Sequence, residues 1–311
     1  MAIDGITSIT ELKLTLQPFL RTYLQDMGVR FERKNWFKCI NPKHDDHHPS
    51  CTIPKKWHER QFICMSCRAT GDIFTAAHLI EGKPLHGHGF IEDNVFYLAN
   101  KYNIAFDRNA IMTPEFREKL DFYDAIGDVY DALMAHCNLS NALERGWTEE
   151  TCKKLGIGSV AQKDIAIYLA TRGWQQEDAY RRFKVLGRRL FGKRLLTFTL
   201  FNARGNPVGF QARDLDWRKA IETEDGHIEP YPHPKYINSA ESPIFQKEQI
   251  LQGLHLAIAE DSDEVWVFEG IGSWVTAWQA GIRNSVSLLG ANISAAHLSA
   301  LFQHSFKTVY L

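Results

Sequence analysis

Two sets of residues in this 311-residue chain have types and spacing that could do chemistry. The first is Cys39-x4-His44, then residues 45–63, then Cys64-x2-Cys67. Three thiolates and one imidazole make a closed tetrahedral shell for zinc, and two short knuckles around a β excursion are how a zinc ribbon presents it. His47, His48 and His58 read as solvated loop residues, and Cys51 as a small strand residue facing the core. The second set starts from one carboxylate. Val265–Gly270, Val-Trp-Val-Phe-Glu-Gly, reads as a short buried strand that delivers Glu269 to a glycine turn. A carboxylate in such a place suits Mg²⁺, which is held by one or two carboxylates plus substrate phosphates.

The elements that must position Glu269 follow it. Gly272–Gly281 and Ser294–His304 read as helices, and Ser285–Gly290 and Lys307–Leu311 as strands. Strands alternating with short helices imply parallel βαβ units, which place their chemistry at the carboxyl ends of the strands. The zinc motif has its own surroundings. Ser8-Ile9-Thr10-Glu11 fits a capping box, and apolar residues from Ile9 to Leu24 recur at helical spacing until Gly28, with Pro18 expected to kink or split the helix. Val29–Lys38 looks strand-like, and Asp72 is placed to cap a helix that begins Gly-Asp-Ile-Phe.

Between these ends lie a linker, Arg108–Phe116, and a helix expected from Thr113-Pro114 to about His136. Leu143–Trp147 and Leu169–Trp174 both read as a helix ending in Arg-Gly, with Trp147 and Trp174 as core residues. The window Arg181–Lys219 holds eleven Lys/Arg and two Asp, a local charge of +9 in a chain whose net charge is −1. Its densest part, Arg181, Arg182, Lys184, Arg188, Arg189, Lys193 and Arg194, leads into a strand meander, Leu196–Asn202 and Val208–Arg213. The turn between them, Arg204-Gly205-Asn206-Pro207, suits Gly and Pro. On charge clustering, Arg194, Arg204 and Arg213 point to nucleic-acid phosphates. Glu222–Glu229 reads as an exposed acidic loop, and Pro230–Pro234 as extended backbone.

The bulk composition is that of a soluble globular chain, 44% apolar and 23% charged. No run of eighteen apolar residues and no signal peptide is seen, so a cytoplasmic protein is expected, and six cysteines there point to metal rather than disulfides.

Cys39-Ile40-Asn41-Pro42-Lys43-His44, Pro49-Ser50, Phe62-Ile63-Cys64-Met65-Ser66-Cys67 and Gly71-Asp72-Ile73-Phe74 together resemble the zinc-binding domain of bacterial and phage DnaG-type primases. Lys235-Tyr236-Ile237-Asn238-Ser239 and Phe245-Gln246-Lys247 resemble the elements that line the basic groove beside the active centre in that family. The resemblance assigns Arg213, Lys235, Asn238 and Lys247 to template or nucleotide contact. The C-terminal stretch resembles a Toprim fold, with Glu269 at the motif glutamate and Gly290 at the glycine after the second strand. Ser273 stands where the family usually has Asp, Ala291 where a small hydroxyl residue is frequent, and the chain stops where an Asp-x-Asp pair would begin.

The expected architecture is therefore multi-domain α+β and α/β. Residues 1–107 would form an N-terminal helix and zinc ribbon, 108–254 a helical and mixed-sheet basic region, and 255–311 a partial Toprim parallel sheet. The resemblance implies a DNA primase that joins ribonucleoside triphosphates on a single-stranded DNA template. It would use structural Zn²⁺ and catalytic Mg²⁺ or Mn²⁺, with Glu269 either a metal ligand or an acid–base partner beside the metal. It implies no membrane, a replicative helicase partner bound through a region outside this chain, and a setting in the bacterial nucleoid or a phage-infected cell. The abrupt end suggests a fragment of a longer primase. A non-catalytic single-strand-binding protein with a degenerate Toprim module is the alternative, favoured by Ser273 and the missing acidic pair; a Toprim nuclease or topoisomerase fits the zinc ribbon and Lys235–Lys247 poorly.

Overall fold

Pro18 shapes the start of the chain. The computed structural model describes residues 5–55, 58–184, 186, 189–222, 227–304 and 306–311. In it a helix Ile9–Leu16 gives way to a 3₁₀ turn, Gln17–Phe19, before a second helix, Leu20–Asp26. This is the expected split: Pro lacks the N–H that would continue the ladder. Ser8 Oγ accepts from the Glu11 amide at 3.5 Å, the N-cap half of the expected box. Gly28, at φ +81°, turns the chain out of the second helix.

Five short strands follow: β1 (Phe31–Arg33), β2 (Trp36–Phe37), β3 (Cys51–Thr52), β4 (Phe62–Cys64) and β5 (Thr70–Gly71). They pair antiparallel in sequence order. The single strand expected over Val29–Lys38 is instead a hairpin, with Phe31 opposite Phe37. Asn35 explains the bend, because Arg21 Nη2 donates to its Oδ1 at 2.6 Å while its Nδ2 donates to the Ile53 carbonyl at 3.0 Å. Asn is favoured in turns for this ability to fasten backbone. Asp72 caps the helix Ile73–Glu81 by accepting from the Phe74 and Thr75 amides. Leu12, Leu16, Leu20 and Leu24 of the split helix join Phe37, Phe62 and Phe74 in one core.

The chain divides into two compact units, Met1–Asp121 and Phe122–Leu311, the division falling inside the helix Pro114–His136. That helix starts where expected, with Thr113 Oγ1 accepting from the Phe116 amide at 3.2 Å.

In the second unit, β6 (Ile157–Gly158), β7 (Leu195–Phe201), β8 (Pro207–Asp214) and β11 (Tyr236–Asn238) form an antiparallel sheet in the order β11-β8-β7-β6. Between β8 and β11, the flanks of the expected acidic loop pair as a hairpin, β9 (Ala220–Glu222) with β10 (Ile228–Pro230), Ile228 opposite Glu222. Residues 223–226, and Arg188 of the basic run, lie outside the described residues. Trp147 is 4% exposed and Trp174 half-buried, both packed as core side chains.

The C-terminal sheet is parallel and has β12 (Glu264–Phe268) at its centre, flanked by β13 (Ser285–Ser287) and β14 (Thr308–Tyr310). Helices Ile271–Gln279 and Ala295–Gln303 follow β12 and β13. β12 is covered on one face only, which corrects the expectation of a fully buried strand. Val265 and Val267 are buried among Leu254, Leu301 and Phe306, whereas Trp266, 41% exposed, stacks on Tyr310 at 4.5 Å.

Two sets of hydrogen bonds join this sheet to the rest of the unit. The Gln252 backbone exchanges both hydrogen bonds with Ser287 beside β13, at 3.0 and 2.9 Å. Its buried side chain accepts from the Phe201 amide and donates to the Thr199 carbonyl of β7, each at 3.0 Å. Trp147 Nε1 donates to Thr276 Oγ1 at 3.0 Å, and Gln279 brackets the Gly146–Thr148 turn through 2.9 and 2.7 Å bonds. Gly253, at φ +88°, admits no side chain, since a Cβ there would stand 2.3 Å from Trp274. Among the described residues, no helix is long and apolar enough to cross a membrane.

Candidate metal centre and nucleic-acid interface

The four expected zinc ligands converge. The donor atoms of Cys39, His44, Cys64 and Cys67 all lie within 4.8 Å of one another. Cys39 sits just after β2, Cys64 ends β4, and Cys67 follows in the knuckle turn, so the antiparallel sheet carries three of the four. The Cys39 and Cys67 sulfurs are 3.7 Å apart, and Cys64 Sγ is 3.6 Å from His44 Nδ1. Zinc–sulfur bonds of about 2.3 Å in a tetrahedron require sulfurs about 3.8 Å apart, and the Cys39–Cys67 pair already stands at that spacing.

The amides of the two knuckles point at the sulfurs. Asn41 N donates to Cys39 Sγ and Cys67 N to Cys64 Sγ, each at 3.4 Å. Burial would raise the Cys64 thiol, but the Ser50 hydroxyl and the Cys67 and Ser66 amides outweigh it and bring it down to about 6. For Cys39 burial wins, pushing the thiol up to about 12, so a metal ion binding there would displace its proton to solvent. Cys51 is buried in β3 opposite Cys64, as expected for a core residue.

Sequence reasoning missed Asp46. Its Oδ2 accepts from the Cys39 amide at 2.6 Å, the Ser50 hydroxyl at 2.7 Å and the Ser50 amide at 3.3 Å. Slight desolvation is outweighed by these donors, which hold its carboxyl below the usual range. Ser50 Oγ in turn lies 3.1 Å from Cys64 Sγ. Asp46 thus orients two of the four ligands from outside the shell. In the sequence it is one acidic residue in an Asp-Asp-His-His run, and nothing in that run singles it out.

The second candidate site lies at the carboxyl ends of β12 and β13. Glu269, exposed, follows β12, and its carbonyl accepts from the Gly290 amide at 3.0 Å. Lys247 reaches the same place: a Cβ on Gly290 would stand 3.1 Å from its Nζ. On the other side, the Tyr236 hydroxyl would meet a Cβ on Gly272 at 3.7 Å, so β11 borders the turn that follows Glu269. Arg213, opposite Tyr236 in the register, donates from Nη1 to that hydroxyl at 2.9 Å. Asn238 lies two residues along the same strand face and accepts from Gln211 at 2.9 Å. Lys235 stands over the Trp217 and Tyr236 rings, 5.3 and 5.9 Å from their centroids. Lys247 and the Arg213–Tyr236 pair therefore border one rim with Glu269, and Lys235 and Asn238 flank Tyr236 along the neighbouring β11 segment.

Arg145 joins them unforeseen. Burial first, and the Arg213 charge second, hold its guanidinium below the ordinary arginine value. Two guanidiniums that raise each other's electrostatic cost both favour a bound anion. In the sequence Arg145 reads as a helix end because it precedes Gly146, which does turn the chain at φ +80°.

Two expected contacts stand apart. Arg194 spends its guanidinium on Asp216, donating from Nε at 2.9 Å and from Nη2 at 2.6 Å to one carboxylate oxygen. Arg204 is exposed in the β7–β8 turn, with the length of β7, roughly 20 Å at about 3.3 Å per residue, between it and the Arg213 end of the sheet. Ser273 is exposed in the first turn of the helix after Glu269. Among the described residues the Cys39 group is the one cluster of three or more metal-ligating side chains.

Residues 138–258 match the N-terminal domain of the DNA primase catalytic core. The DNA primase of Staphylococcus aureus strain MSSA476 is 27% identical over 284 residues, covering 83% of this chain and 43% of that protein. That of Rickettsia felis is 25% identical over 268 residues, covering 84% and 42%. The chain thus spans less than half the length of these relatives. The crystal structure of the zinc-binding and RNA polymerase domains of the Aquifex aeolicus primase shares its fold, with a TM-score of 0.54 and 21% identity over 96% of this chain and 71% of that one.

Proposed function

We propose that this chain, a relative of the bacterial DnaG-type DNA primases, belongs to an enzyme that joins ribonucleoside triphosphates on a single-stranded DNA template. The observation that supports the reading is that Lys247 and the Arg213–Tyr236 pair border the Glu269 turn at the carboxyl ends of the parallel strands. Phosphoryl transfer asks a protein mainly to position groups and to balance charge. In this reading Lys247, Arg213 and Arg145 hold phosphate oxygens, Lys235 and Asn238 guide the template or nucleotide, and the Cys39–Cys67 centre binds Zn²⁺ and presents the single strand. Residues 1–107, 108–254 and 255–311 act as the zinc ribbon, the basic subdomain and a Toprim-like catalytic subdomain.

Glu269 is the residue that would hold Mg²⁺ or Mn²⁺, completed by substrate phosphates, or would exchange a proton beside that ion. The ion would neutralise charge developing on the transferred phosphoryl group. The proposed setting is the cytoplasm of a bacterium or of a phage-infected cell, with a replicative helicase as partner. A second reading, a single-strand-binding protein without catalysis, draws support from Ser273 at its exposed position.

The test is template-directed ribonucleotide incorporation by the full-length native protein with Mg²⁺. Glu269→Gln is expected to lower the rate by roughly 100-fold or more. A full rate in that variant would remove Glu269 from the chemistry. Single-strand binding with no incorporation by the native protein would leave the second reading standing.

A further inference from the structure

Lys235 is held in an unusual way for a surface lysine. Its backbone carbonyl accepts from the Asp214 amide at 3.0 Å, which closes the root of the segment between β8 and β11. From that root the chain turns back: Asp214 Oδ1 accepts from the Asp216 amide at 3.0 Å, and Arg194 clamps the Asp216 carboxylate. Arg189 pairs with the buried Asp214 carboxylate at 3.0 Å. The turn so fixed delivers the Trp217 ring to within 5.3 Å of Lys235 Nζ, and Tyr236 supplies a second ring at 5.9 Å.

We propose that Trp217, braced by Arg194 through Asp216, is a positioning residue that holds the Lys235 ammonium beside the rim for nucleic-acid phosphate. The inference rests on the nucleic-acid reading above and adds to it. A lysine ammonium is otherwise a point charge on a flexible four-carbon stem, and fixing it beforehand removes part of the entropic cost of binding. Exposed cation–π contacts have the strength needed to bias that stem, and they leave the charge free to meet a phosphate. Arg194 then matters through Asp216 and not through DNA.

The experiment has two arms. In the first, NMR of protein carrying isotopically labelled lysine reads the ring-current displacement of the Lys235 ε-methylene signal. It should be upfield in the native sequence, keep most of that displacement in Trp217→Phe and return to the ordinary position in Trp217→Leu. An ordinary position in the native sequence would overturn the proposal, whatever the DNA result. In the second arm, anisotropy of a labelled oligo(dT) strand across a salt series reads affinity and slope. Trp217→Leu should weaken binding about two- to five-fold with little change of slope, since Lys235 is still present to meet a phosphate, and Trp217→Phe should restore the affinity. Adding Arg194→Ala to Trp217→Leu should change nothing further, since a brace without its load has no effect. A loss of slope in that double variant would make Arg194 a direct contact and overturn the brace. An unchanged affinity in Trp217→Leu would overturn the positioning role. If the native chain fails to bind the strand, the nucleic-acid reading falls, and the NMR arm still decides whether the two rings hold Lys235.

Discussion

At the scale of single residues, the zinc site and the rim show the same division between side chains that touch a ligand and side chains that hold those in place. Asp46 gathers the Cys39 amide and both donors of Ser50, and Ser50 lies against Cys64. Partners of this kind outside a metal shell are typically worth 10–100-fold in metal affinity. Asp46→Ala is therefore expected to weaken zinc binding by about 10–100-fold, read by competition with a chromophoric chelator, while about one zinc per chain still binds at saturation. An unchanged affinity would show that the knuckle amides orient the sulfurs without it. The four ligands themselves were legible because their types and local spacing carry the whole signal. Asp46 was not, because its role depends on a hairpin bringing Ser50 and Cys39 to one oxygen. Arg194 shows the same limit from the other side: a run of positive charge can be counted in a sequence, but the Asp216 that neutralises one member sits 22 residues away.

At the scale of elements, the split N-terminal helix, the Thr113–Pro114 start, the β7–β8 meander and the alternation of strands and helices after Val265 were all readable from local rules. The β1–β2 hairpin was not, since Asn35 bends the chain through bonds to Arg21 and Ile53 that no pattern of hydrophobicity encodes. Nor was the one-sided cover of β12, because five residues are too few for alternation to be distinguished from a buried run. The element hardest to foresee is the segment around Gln252, which links two sheets through a single residue. Removing its amide leaves the Phe201 N–H and the Thr199 carbonyl without those partners in a buried place. Each such orphan costs about 1–3 kcal/mol, so Gln252→Leu should destabilise the protein by at least about 2 kcal/mol in urea titration. Gln252→Glu, which keeps the acceptor for Phe201 but loses the donor to Thr199, should also destabilise. A neutral Gln252→Leu would mean that the sheets dock by apolar packing alone.

At the scale of the whole molecule, each of the two units has its own hydrophobic core, and the metal centre belongs wholly to the first. The sheet that carries it is made of strands two or three residues long, so a bound ion should contribute to its stability. Stripping zinc with a chelator is expected to lower one of two calorimetric transitions by several degrees and leave the other where it was. A parallel shift of both would mean that the units unfold as one.

The Trp147–Thr276 hydrogen bond spans 129 residues of sequence, and it sets an order for the protein's birth. Unit 1 is self-contained within its first 121 residues and can close as soon as they leave the ribosome. The Trp147 side chain must instead wait for its partner to be made, roughly ten seconds at about 5–20 residues per second. For that interval the indole lacks its Thr276 partner, so the second unit completes its bonding later than the first.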